Sequence, residues 1–276
     1  MKFSPKRLII AAAAMAFAIQ SASAAFTFNN GDLIMGFQAT GGTGSTKNVF
    51  FNLGSPIAYR DGTNPSGTIG NISTTLTAVY GATWYNRSDL FFGVIGNLNQ
   101  QPTSGIGSRT AVAGDPSRTF YVSSATATPG SGASYPANTY SSSSLGTAGN
   151  NLSGLEANLP GFTTEADSAA ILDQTTQPTQ WNNGWTFWNP TPGASFGTFT
   201  GGIQQNFGQA TPSTYLDLQR VLATNTGANP VGLEGGGTYE TTFAISNTGA
   251  ITAVPEPSAA LLCGLGALAL LRRRRA

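Results

Sequence analysis

The chain has 276 residues, of which only 9% are charged, and it contains one cysteine and no histidine. The lack of histidine excludes Ser-His-Asp and Cys-His catalysis and the usual zinc sites, so we expect no metal and no cofactor. Residues 25–254 carry 6 basic and 11 acidic side chains, a net charge of −5 that is unsuited to binding nucleic acid.

The first 24 residues have the three parts of a secretory signal peptide. A basic start precedes an uncharged apolar run of 12 residues, 8–19, and Ala22 and Ala24 then occupy the small-residue positions of a cleavage site. Because about 20 apolar residues are needed to span a bilayer, an uncleaved anchor is the less favoured alternative. We expect passage through the translocon and cleavage by signal peptidase after Ala24.

The next segments are predicted to be mainly β structure. Short apolar or alternating runs at 33–40, 48–53 and 89–95 are separated by Gly, Asn and Ser, which favour turns. Residues 74–81 instead have helical spacing, with their apolar side chains on one face. We therefore predict three strands and one short helix in this part.

Residues 123–151 have low complexity, because nearly all of them are Ser, Thr, Gly, Ala, Pro or Asn. A segment with so few large apolar residues buries little surface and orders weakly. We expect it to be a long surface loop or a linker that divides the body into two halves.

The strongest predicted helix follows at 164–176. Thr164 and Asp167 fit a capping box, and alanines with Ile171 give a modest apolar face. Glu165, Asp167 and Asp173 are then interpreted as charges that favour the helix dipole.

Three tryptophans, Trp181, Trp185 and Trp188, lie among Asn and Gln side chains. Flat rings can cover the C–H faces of a sugar while amides bond its hydroxyls, so these three are candidate carbohydrate-binding residues. The alternative is that they belong to the core, as large aromatic side chains usually do. Exposure of all three on one face would favour a lectin-like module.

Carboxylates could carry enzymatic chemistry in a chain without histidine. Hydrolysis of a glycosidic bond needs two carboxyl groups on facing walls of a cleft. Acidic residues whose convergence would support this alternative are Glu156, Glu165, Asp173, Asp217 and Glu234.

Strands are predicted again at 195–200, 215–222 and 238–246, and the last forms a hairpin with 250–253. The exported body, residues 25–253, is therefore predicted to be mainly β. We expect a β-sandwich or jelly roll with one or two short helices.

The carboxy-terminal residues 254–276 combine three features. Pro255, Glu256 and Pro257 are followed by 14 uncharged residues, 258–271. Four arginines complete the pattern: Arg272, Arg273, Arg274 and Arg275. A helix over 258–271 is about 21 Å long, so the arginines would reach the headgroups on the cytoplasmic side. We expect a single transmembrane helix here, with the body facing the periplasm.

Together with the leader, this tail resembles the PEP-CTERM sorting domain of Gram-negative bacteria that make exopolysaccharide. The resemblance covers residues 254–276, about 8% of the chain. It implies that an exosortase, a membrane-embedded cysteine transpeptidase-like enzyme, recognises Pro255, Glu256 and Pro257. It also implies that the four arginines act as a stop signal and that the body passes to the cell surface or matrix. A plain membrane anchor is the alternative.

These features predict an exported, non-enzymatic cell-surface or extracellular-matrix protein associated with exopolysaccharide. A lectin-like module and a secreted carboxylate-dependent carbohydrate-active enzyme are the alternatives. The expected partners are the translocon, signal peptidase, an exosortase and exopolysaccharide, with the inner membrane as a transient anchor and no nucleic acid.

Overall fold

The computed structural model describes residues 26–29, 31–65, 67–97, 115, 118–136, 139–165, 167–188, 199, 202–208, 213–224 and 236–254. The strands are β1 (Leu33–Ala39), β2 (Lys47–Gly54), β3 (Thr68–Asn71), β4 (Leu90–Gly96), β5 (Phe120–Thr126), β6 (Thr163–Thr164), β7 (Ala170–Asp173), β8 (Gln204–Asn206), β9 (Ser213–Val221), β10 (Gly237–Ser246) and β11 (Ala250–Val254). The α-helices are α1 (Ser73–Tyr80), α2 (Ser142–Asn158), α3 (Pro178–Trp181) and α4 (Trp185–Trp188). Short 3-10 helices occupy Pro56–Gly62, Trp84–Asn86 and Leu159–Gly161.

The strands form one antiparallel sheet. Its order is β3-β11-β10-β9-β5-β4-β1-β2-β7-β6, and β8 adds to β4 beside this path. The mainly β class expected from the sequence is confirmed. The described helices differ from the expected one or two short ones, since α2 has 17 residues.

The sheet curls so that its edge strand β3 lies against β2, a strand from the other half of the sheet. A Cβ atom at Gly70 in β3 would overlap the ring of Phe51 in β2, although six strands separate them in the sheet order. Tyr59, just after β2, packs edge-on against Phe243 in β10, with ring centroids 5.0 Å apart. The curl therefore encloses an apolar interior on one face of the sheet.

This enclosed interior, called here the inner core, receives side chains from nearly every strand. Phe37, Phe92 and Phe207 stack there, with Phe92 and Phe207 4.6 Å apart. Helix α1 adds Leu76, Val79 and Tyr80, as its spacing predicted. Because strand side chains alternate between faces, six of these strands also supply a second core outside the curl.

The second, outer core lies between the sheet and α2. Leu145, Ala148, Leu152 and Leu155 form the buried stripe of α2 at intervals of three and four residues. The Ser141 hydroxyl caps this helix by accepting from the Ser144 N–H at 3.1 Å. The segment 123–151, predicted to be a loop or linker, contains the end of β5 and the start of α2, so the connection between these two elements is limited to residues 127–141.

The prediction of a helix at 164–176 was wrong. This segment forms the hairpin of β6 and β7, and β7 pairs on its other side with β2. Ala169 and Ile171 face the inner core while Ala170 and Leu172 face the outer core. An apolar run buried on both faces suits a central strand better than a helix with one apolar stripe.

The other strand predictions within the described residues are confirmed, including the β10–β11 hairpin, which pairs Ile245 with Ile251. The predicted signal peptide and membrane helix lie outside the described residues, as does most of the strand predicted at 195–200. Among the described helices, none has both the length and the apolar character that crossing a membrane requires.

Candidate functional site

The residues expected to direct sorting fall outside the described part of the chain. These are Ala22 and Ala24 at the leader cleavage site, Pro255, Glu256 and Pro257 in the tail motif, and Arg272, Arg273, Arg274 and Arg275 at the end. Val254, the first residue of the predicted tail, is described and is the last residue of β11.

Trp185, predicted as a candidate sugar-binding residue, is fully buried. Its ring lies over Gly36 and Gly93, which pair directly across β1 and β4, and a Cβ atom at Gly36 would overlap it. Its indole N–H donates to the Gln204 side-chain oxygen at 3.0 Å. The two glycines thus form a slot for the indole, and Trp185 belongs to the outer core rather than to a binding surface.

The other two tryptophans are half-buried. Trp181 and Trp188 pack against the outer core, and the neighbouring Phe187 is 46% exposed. Phe187 and Trp188 meet edge-on at 4.8 Å. This leaves one aromatic surface patch, defined here as Trp181, Phe187 and Trp188, instead of three tryptophans on one open face.

The acidic residues considered for catalysis are held by different partners. Asp217 accepts from the N–H groups of Gly130 and Gly132 and from the Thr242 hydroxyl. Asp173 forms an ion pair with Lys47 at 3.3 Å.

The remaining catalytic candidates are dispersed as well. Glu156 is buried in α2, Glu165 lies in the turn between β6 and β7, and Glu234 is outside the described residues. Asp167, predicted as a helix-dipole charge, instead accepts a hydrogen bond from the Thr75 N–H in the first turn of α1 at 2.8 Å. In the described ranges, no group of three acidic or cysteine side chains is arranged to hold a metal.

Sequence reasoning missed a charged cluster at one end of the inner core, defined here as Arg60, Asp61, Asp115, Arg220 and Glu240. Asp115 is fully buried between the two guanidinium groups, 2.9 Å from Arg60 and 3.5 Å from Arg220. The Tyr121 hydroxyl also donates to Asp115, at 3.0 Å. The members lie up to 180 positions apart in the chain, so no local motif announces them.

The carboxyl group of Glu240 is strongly affected by its burial in the charged cluster. Burial raises the pKa of Glu240 to about 7, although the Asp61 N–H and Arg220 act to lower it. Arg220 Nε lies 2.9 Å from the carboxylate but is not aligned for a hydrogen bond. The cluster has two arginines and three carboxyl groups, and a raised pKa at Glu240 favours the neutral carboxyl form that balances these charges.

The charged cluster joins segments that are far apart in the sequence. Asp61 belongs to the 3-10 helix after β2, and it links Arg60 to Arg220 on β9 while donating its backbone N–H to Glu240 on β10. Asp61 alone is well exposed, at 65% of its side chain. The arrangement fastens this 3-10 helix over the end of the sheet.

A small pocket opens at the sheet end near the β10–β11 turn. Its volume is about 60 Å³, and its lining includes Tyr85, Asn86, Phe207, Thr214 and Asn247. This volume is above the roughly 15 Å³ that one water needs and below the several hundred Å³ of a typical small-molecule site. The pocket can therefore admit part of a ligand, such as the edge of a ring.

Comparisons of the chain with protein-family models, with curated proteins and with solved structures gave no match.

Proposed function

We propose that this chain is an exported, non-enzymatic surface or matrix protein that an exosortase releases at Pro255, Glu256 and Pro257. The position of this motif is the observation that carries the proposal. The last strand ends at Val254, which pairs with Thr242, and the motif begins at the next residue. Cleavage at or after the motif would leave every strand of the body intact.

The chemistry of the motif supports the same proposal. β11 is an interior strand that pairs with β10 on one side and β3 on the other. Pro255 and Pro257 lack the N–H groups that would continue its pairing and favour extended backbone. A processing enzyme needs such an unpaired stretch, and here it would directly follow a folded domain.

The body then serves as a scaffold, which we propose to be sandwich-like because the two halves of the curled sheet face each other across the inner core. The carboxyl groups of the charged cluster are engaged by Arg60 and Arg220. Carboxyl groups that form ion pairs with arginines in this way are typical of a structural network. A glycosidase instead needs two carboxyl groups that are free to reach the substrate.

A lectin-like body is the second candidate, and the exposed Phe187 beside half-buried Trp181 and Trp188 favours it. Exposed aromatic rings next to amide side chains suit the C–H faces and hydroxyls of sugars. In this version the released body would attach to exopolysaccharide through the aromatic surface patch.

Fractionation of the producing cells tests the sorting proposal. Wild type should appear outside the inner membrane without its arginine cluster, whereas Pro255→Ala/Glu256→Ala/Pro257→Ala should remain in the inner membrane with the tail attached. A chain with Pro230→Ala and Glu234→Ala removes the same residue types elsewhere and should behave as wild type. Retention of Arg272–Arg275 by all three chains in the inner membrane would show that the tail is an anchor only.

A further inference from the structure

The pocket beside the β10–β11 turn has an apolar floor and a polar rim. Phe207 and Ile245, both 1% exposed, form the floor. Asn86 and Asn247 are exposed on the rim, with Ser213 partly exposed at the start of β9. A pyranose ring has the matching character, since it presents C–H groups on its faces and hydroxyls at its edge.

An aromatic wall of the pocket is held in place before any ligand arrives. Tyr85 is half-buried, and the indole of Trp84 packs edge-on against its ring at 5.6 Å and 86°. Trp84 is itself buried and packs against Phe207 at 5.0 Å. Because the ring is already ordered, stacking a ligand on Tyr85 costs little side-chain entropy.

The polar side chains of the rim are not engaged by the described part of the protein. Within the described residues, the side chains of Asn86, Ser213 and Asn247 form no hydrogen bond. Amides and hydroxyls both donate and accept, as sugar hydroxyls do. The rim therefore offers the two-way hydrogen bonding that a carbohydrate requires.

The pocket favours a neutral ligand over an anionic one. Among the described residues that line it, none is charged. Arg87, directly after Asn86, uses all five of its N–H donors within the protein, on Asp89 and on the carbonyl oxygens of Gly41, Thr43 and Tyr80. The guanidinium of Arg87 therefore has no N–H donor left for a uronate or sulfate group.

From these observations we propose that the pocket is a subsite for one residue of a neutral polysaccharide. The edge of one sugar ring enters above Phe207 and Ile245, a face of the ring contacts Tyr85, and hydroxyls bond Asn86 and Asn247. The proposal deepens, and rests on, the association with exopolysaccharide. One small subsite gives weak affinity, so useful attachment depends on many copies engaging one polymer.

The test measures binding of the full-length chain in non-ionic detergent to soluble polysaccharides by affinity electrophoresis. The probes are dextran, galactomannan and a neutral β-glucan, with a polyuronate as the anionic comparison. Tyr85→Ala should weaken binding to the neutral polymer that retards wild type by about tenfold, because it removes the stacking ring. Asn247→Ala should weaken it about three- to tenfold, and Tyr85→Phe should retain most of it.

A matched variant, Phe187→Ala, removes an exposed ring from the aromatic surface patch and should bind as wild type. Asn247 lies exposed in the turn after β10, so Asn247→Ala keeps the test valid if Tyr85→Ala fails to fold. If Phe187→Ala weakens binding and the pocket variants do not, the association with polysaccharide stands and the pocket proposal is wrong. If wild type binds none of the neutral polymers, or binds the polyuronate more strongly, the proposal is also overturned. Sorting at the tail is scored independently by fractionation.

Discussion

The inner and outer cores share the strands β1, β2, β4, β5, β7 and β9 but differ in what encloses them. The inner core is covered by the sheet itself as it curls, so most of its side chains come from strands. The outer core instead depends on α2, a helix with three glycines and four serines among its 17 residues. Each glycine costs a helix about 1 kcal/mol relative to alanine.

This difference indicates two levels of local stability. A helix of low intrinsic propensity is held mainly by the packing of its apolar stripe, here Leu145, Ala148, Leu152 and Leu155. The strands of the inner core are also joined by backbone ladders and by the charged cluster. We therefore expect α2 to open locally before the sheet unfolds.

Breaking the charged cluster should have the largest effect on the inner core. Arg220→Met leaves the buried Asp115 and Glu240 without one guanidinium, and we expect a loss of about 3–5 kcal/mol in the free energy of unfolding. Urea unfolding followed by tryptophan fluorescence measures this loss. Lys47→Met removes a more exposed partner of Asp173 and should cost less than about 1 kcal/mol. Equal effects of the two changes would contradict the assigned role of the cluster.

Two matched leucine truncations compare the cores directly. Leu218 of the inner core and Leu152 of the outer core are both fully buried. Leu218→Ala should cost about 2–5 kcal/mol and leave a cavity in the sheet interior. Leu152→Ala should cost less, because α2 can relax over the sheet, and it should speed hydrogen exchange in α2 alone. Exchange that accelerates equally in α2 and β9 would refute separate stabilities.

The pH dependence of stability tests Glu240 within the charged cluster. Its pKa is raised from the ordinary carboxyl value to about 7 in the folded protein, so the folded state holds a proton that the unfolded state releases. The contribution of this group is favourable at acidic pH and is lost as pH rises from about 4.5 to about 7. Glu240→Gln removes that dependence, so the stability of the variant relative to wild type should increase between pH 5 and pH 8. An unchanged difference between the two proteins would contradict the raised pKa.

A small effect is expected at the contact between α1, which follows the edge strand β3, and the β6–β7 turn at the other edge of the sheet. Asp167→Ala removes the acceptor for the Thr75 N–H in α1, which should cost about 1 kcal/mol. Asp167→Asn retains an oxygen acceptor and should recover most of the loss in thermal unfolding. If both variants match wild type, this contact does not help to hold the curl together.

Period-two alternation made the strands of the inner core predictable, and the β10–β11 hairpin followed from its turn residues. Helix α2 was not predicted because the segment was judged by its composition, which is mostly small polar residues. The apolar stripe among them extends past residue 151 to Leu159. Reading the spacing of Leu145, Leu152 and Leu155 would have revealed it. The four apolar residues 169–172 led instead to the prediction of a helix where a strand is present. A strand that is buried on both faces shows no alternation of apolar and polar residues.

The charged cluster and the pocket could not be predicted from sequence. Their members come from distant segments, such as Asp61 and Glu240 or Tyr85 and Asn247. Only the curl of the sheet places them together. The slot for Trp185 did leave a signal, because Gly36 and Gly93 interrupt apolar strands where side chains would be expected.

The most direct test of the central claim is the intact mass of the native protein recovered from outside the inner membrane of its producing cells. We predict a polypeptide that starts at Ala25 and ends at or shortly after the Pro255–Pro257 motif, with β11 retained and Arg272–Arg275 absent. Recovery of the protein only from the inner membrane, with a mass that includes the arginine cluster, would contradict export and release through the tail.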